Sequence, residues 1–119
     1  MTGLEHALIG LQQAVDAPRR HRLWRRLVRL RMNGVREALS REGAREDDEW
    51  LAARELVLRR DRDALLARLT VLGPHVMDDP HLETVRADLQ RLMVDLEHHR
   101  QRLNDLVYDS VSLELGGSE

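Results

Sequence analysis

With no cysteine in the chain, its six histidines carry most of the side-chain chemistry it could offer. Disulfides and thiolate metal sites are excluded by that count. His98 and His99 stand close to Asp95. Asp95-x-x-His98 has the i,i+3 spacing with which a carboxylate and an imidazole share a metal in di-iron helical bundles. Those bundles need a second pair on another helix and further glutamates, and this chain has one copy. On a helix His98 and His99 also point about 100° apart. Asp95 and His99 form an i,i+4 pair, and histidine titrates near neutrality. A metal site around Asp95, His98 and His99 is therefore a lesser expectation than a partly buried polar layer of Arg54, Glu55, Asp95 and His99. His75 and His81, with Asp78 and Asp79, fit no compact zinc spacing, and helix capping accounts for both aspartates. No serine stands with a histidine and an acid at a familiar spacing, and no nucleotide loop is present. No enzyme is expected, no catalytic residue is nominated and no cofactor is implied.

Charge is the second source of chemistry. All 19 basic residues are arginine, and the formal net charge is -2. Residues 19–45 hold ten arginines against Glu37 and Glu42, a net of +8, whereas residues 46–119 have a net of -8. The arginine bias, with one isoleucine and no phenylalanine, is the composition of a high-G+C coding sequence. On a helical projection Arg22, Arg25, Arg26, Arg29 and Arg36 share one side of the stretch 18–42, opposite Leu23, Trp24, Leu27, Val28, Leu30, Val35, Ala38 and Leu39. That arginine face could meet an anionic partner such as nucleic acid, or acidic helices of its own fold. Arg31 falls inside the apolar arc, where an unpaired charge is costly, so it calls for a carboxylate from another helix.

The elements that must position these groups are helices. A chain of 119 residues is long enough for one cored domain, and 3% aromatic residues leave the core to Leu, Val and Ala. Thr2 and Glu5 fit a capping box for a short first helix, about 3–15. Pro18 suits the first turn of a second helix running to about residue 42, stopped by Gly43. Asp47 or Asp48 caps a third helix, about 48–72, whose Leu51, Leu58, Leu65 and Leu72 recur at heptad spacing, with Trp50, Val57 and Leu69 widening the face. Gly73-Pro74 reads as its stop. Asp79-Pro80 opens a fourth helix, about 80–112. There Leu82, Val85, Leu89, Leu92, Leu96, His99, Leu103, Leu106 and Ser110 follow the 3-4 repeat of coiled-coil packing. Residues 107–115 also alternate like a strand, and 116–119 read as a flexible tail.

The expected fold is all-α: one domain over 1–115, an antiparallel bundle of three long helices plus one short N-terminal helix, four-helix-bundle-like. A dimer that swaps the short helix is the rival. With the second hairpin centred near residue 45 or 46, Arg31 faces Asp61, flanked by Arg54 and Arg68, and the two should pair inside the bundle. For the third and fourth helices, a turn at Gly73-Pro74 sets His99 near Arg54 and Glu55. Arg31, Asp61, Arg54, His99 and Asp95 are thus the expected buried charges.

Such a bundle fits a protein-interaction or assembly module, self-associating as a homodimer, with Trp24 and Trp50 as anchors if exposed. The alternative is nucleic-acid binding through the arginine face. An acidic tip at Glu46, Asp47, Asp48 and Glu49 acting on a large enzyme is weaker, since capping explains those acids. No run of apolar residues is long enough to span a membrane, and the N-terminus lacks the pattern of a secretory signal, so a cytoplasmic location is expected.

Overall fold

The 3-4 repeat of the last helix is the spine of the molecule. A computed structural model describes residues 3–18, 21–42 and 52–116. Among these it holds four helices and no strand: α1 (Gly3–Asp16), α2 (His21–Glu42), α3 (Ala52–Asp78) and α4 (Leu82–Gly116). On α4 Val85, Leu89, Leu92, Leu96, His99 and Leu106 are buried, with Leu82 and Leu103 half-buried beside them. The continuation of α4 to Gly116 settles residues 107–115 as helix, four residues beyond the expected end.

Each helix packs against two others, in the order α1–α2–α3–α4 and back to α1. The contacts that fix direction run opposite ways along each pair, so sequential neighbours are antiparallel. Trp24 meets Val15 and Arg31 passes Gly10 between α1 and α2. Arg25 meets Val76 and Arg29 meets Gly73 between α2 and α3. Arg68 meets Asp95 and Asp61 meets Arg102 between α3 and α4. The short α1 therefore occupies a full corner of a four-helix bundle, docked on its own chain. Its Leu4, Leu8, Leu11, Ala14 and Val15 join Trp24, Val28, Met32, Val35 and Leu39 of α2 in one core with α3 and α4.

Three expectations need correction. The break at Gly73-Pro74 does not occur, because α3 runs through Pro74 to Asp78. Proline removes one backbone hydrogen bond and costs about 3 kcal/mol in a helix interior. The turn beyond it is retained because Val76 is fully buried and because Arg25 donates to two carbonyls at the helix end, Val76 O at 2.9 Å and Asp79 O at 2.6 Å. The apolar arc of α2 is also rotated. Leu23 and Leu30 are exposed, and the unanticipated Met32 is buried. Finally, among the described residues α2 opens at His21 and α3 at Ala52, and the expected start of α3 near residue 48 lies outside them. Pro18 precedes α2 without joining its first turn. The caps at Thr2, Gly43 and Asp47 or Asp48, and the tail 117–119, lie outside the described residues.

Candidate functional site

Three helices converge on the imidazole of His99. The residue occupies a seam position of α4, one heptad after Leu92 and one before Leu106, so the repeat that buries leucines buries it too, at 0% exposure. Its Nδ1 lies 2.7 Å from Asp61 Oδ2 on α3. Its Nε2 lies 2.7 Å from Glu42 Oε2, at the last residue of α2. Arg102, one turn along α4, donates to the same Asp61 oxygen. The result is a row of alternating charge, Glu42–His99–Asp61–Arg102, enclosed at the ring and half exposed at Arg102.

Each N···O contact to a carboxylate needs a proton, so the arrangement is that of the imidazolium, with both ring nitrogens donating. Burial pulls the His99 pKa down. The hydrogen bonds and charges of Glu42 and Asp61 outweigh it and hold the ring above the ordinary histidine value. For Asp61, burial pushes the pKa up, but hydrogen bonds from Arg102 and His99 prevail and hold it below the usual carboxylate value. Glu42 Oε1 is buried and has no hydrogen-bond partner among the described residues.

The expected charge partners are otherwise rearranged. Arg31 is exposed and does not meet Asp61. It lies on the α1 side of α2, where its Cδ would sit 3.4 Å from a Cβ on Gly10, so the missing side chain of that glycine gives its stem a path to solvent. Arg54 is exposed too, lining an open groove between α3 and α4 with Val57, Leu58, Arg102, Asp105 and Leu106. Asp95 is half-buried and accepts from Arg68 at 2.6 Å, not from His99. Asp95 and His99 thus have different partners and His98 is exposed, and among the described residues no group of three potential ligands could hold a metal ion. Sequence reasoning gave Glu42 no role beyond the charge count, although it stands one heptad after Val35 on the core side of α2.

The arginine face is partly spent within the fold. Arg25 caps α3, and the guanidinium of Arg29 rests on Gly73, where a Cβ would come within 1.8 Å of Nη1. Arg26 and Arg36 are exposed, and the side chain of Arg22 lies outside the described residues. Trp24 is a core residue, 2% exposed, whose Nε1–H donates to Val15 O at 3.3 Å in the last turn of α1. Trp50 and the acids 46–49 lie outside the described residues.

At the opposite corner an open groove between α1 and α4 is lined by Leu8, Ile9, Gln12, Met93 and the charged Glu5, Glu97 and Arg100. Glu97 holds Arg100 by two hydrogen bonds, at 2.7 and 2.9 Å. Neither groove reaches the His99 ring. The ring has no exposed surface and joins α4 to α2 and α3. No family model matches the chain, and no curated protein or solved structure is detectably similar to it.

Proposed function

We propose that the protein is a small helical-bundle interaction or assembly module that self-associates as a homodimer, works in the cytoplasm and has no catalytic chemistry of its own. The observation that carries this reading is the pair Leu23 and Leu30, one heptad apart on the outward side of α2 and 69% and 62% exposed. Single apolar residues on a surface are ordinary. Two leucines in heptad register on one exposed helix face make the stripe against which a second helix packs. Fully burying each contributes about 1.5–3 kcal/mol. A two-fold contact uses the same stripe twice, which makes a second copy of the chain the simplest partner.

Nucleic-acid binding through α2 is the weaker reading, since Arg25 and Arg29 are engaged by α3. Sedimentation equilibrium of the wild type and of the Leu23→Ser, Leu30→Ser double variant tests the proposal. The wild type should sediment as a dimer at micromolar concentration. The double variant should sediment as a monomer and keep its helical content, because both side chains face away from the core. A wild type that stays monomeric at the highest soluble concentration overturns the reading.

A further inference from the structure

Glu42 and Asp61 reach the two edges of one imidazole from different helices, and the two are not equally secured. Asp61 keeps Arg102 whatever the state of the ring. The one partner of Glu42 among the described residues is His99: Oε2 is bonded to Nε2, and Oε1 is buried without a partner there. Glu42 is the last described residue of α2. Its side chain is only 10% exposed. An anion so placed depends on the cation beside it.

We propose that His99 is a proton-operated clamp on the last turn of α2: doubly protonated it ties Glu42 to Asp61, and on losing a proton it releases Glu42 and lets that turn lift from the bundle. A neutral ring has one N–H and one bare nitrogen. The N–H stays with Asp61, which Arg102 orients, and the bare nitrogen then faces Glu42 Oε2 lone pair to lone pair at 2.7 Å. A buried carboxylate without a counter-ion is costly and either takes up a proton or moves toward water, and rising pH favours the second.

Arg59 and Arg62, beside Asp61 on α3, have interactions of their own, and the following charges are paired away from the ring. On α2, Arg41 pairs with Glu37. On α3, Arg68 pairs with Asp95 of α4. On α4, Glu97 holds Arg100, toward which Glu5 of α1 also directs its charge. The elevated pKa of His99 places the release on the alkaline side of the ordinary histidine value. The clamp is independent of the assembly reading and stands or falls without it.

The test follows the His99 ring carbon resonances and the backbone amides of the full chain by NMR, from about pH 5 to about pH 9. The His99 midpoint should lie above the ordinary value, and the amides of Leu39–Glu42 should shift and gain mobility with the same midpoint. Those of Leu89–Leu92 should stay unchanged. In Glu42→Gln, which removes one of the two anions, the midpoint should fall by about one unit or more, and the end of α2 should lose its pH step. A His99 midpoint at or below the ordinary value overturns the clamp. So does a normal titration during which Leu39–Glu42 stays still, or a midpoint unmoved in Glu42→Gln. Should Glu42→Gln not fold, the wild-type titration alone decides between these outcomes.

Discussion

His99 sets the response of the molecule to pH. Its pKa is raised on folding, so its contribution to stability is complete below the ordinary value of about 6.5 and is lost as pH rises through the higher folded value. Asp61 behaves in the opposite sense. Its pKa is lowered, so its contribution is complete above about 4 and is lost as pH falls through the depressed value. Chemical denaturation across this range should show a plateau of stability from about pH 4 to about pH 6.5 with a decline on either side. His99→Ala leaves Glu42 and Asp61 without their shared cation and should cost about 3–5 kcal/mol at pH 6, read as a fall in the urea midpoint. The seam position of His99 was legible from the repeat. Its partners were not, because a partner on another helix depends on register, and register depends on where the helices stop.

The helix ends of this bundle are held from one place. Consecutive residues near the start of α2 cap both antiparallel neighbours, Trp24 on the Val15 carbonyl of α1 and Arg25 on the Val76 and Asp79 carbonyls at the end of α3. Arg25→Ala should therefore fray the turn after Pro74 and cost about 1–2 kcal/mol, with faster amide exchange at Val76–Asp79 and little change on α1. Gly34 is the counter-case. It lies inside α2 with nothing within 4 Å of an added Cβ, so Gly34→Ala should raise stability by about 0.5–1 kcal/mol. The same end of α3 explains the misplaced pairs. Taking Pro74 as a stop puts the α3–α4 turn several residues early and slides every facing pair along the helices. With α3 running to Asp78, the turn centres near residue 80, and His99 comes level with Asp61 while Asp95 comes level with Arg68. The α2–α3 hairpin slid likewise: Arg25–Val76 and Arg29–Gly73 centre it near residue 51. Local sequence cannot show that an arginine some fifty residues upstream will cap the turn beyond a proline.

Taken whole, the bundle follows from periodicity alone. The apolar positions of α1 and α4 pick out their buried faces, whereas the wide apolar arc of α2 does not disclose which of its leucines turn outward. The helices differ in length, and so does their cover. Met93, under α1, is 5% exposed, whereas Val107, two heptads further along α4, is 56% exposed. Val107→Ser should therefore leave the thermal melt within about 0.5 kcal/mol of wild type, as expected of a surface substitution, while Met93→Ser should lower it by about 2 kcal/mol or more.

The molecule measures 59 × 22 × 20 Å, with a radius of gyration of 16.6 Å, against about 13–14 Å for a compact globule of this length. Friction is correspondingly high. A 13.8 kDa rod about three times longer than it is wide elutes from a sizing column ahead of a sphere of equal mass, with the retention of a larger protein. Tumbling is anisotropic as well. Helical N–H bonds run nearly parallel to the helix axes, and here those axes follow the long dimension. Their nitrogen relaxation should report the slow end-over-end rotation uniformly, and an amide that departs from that common value marks a turn which has left the rod.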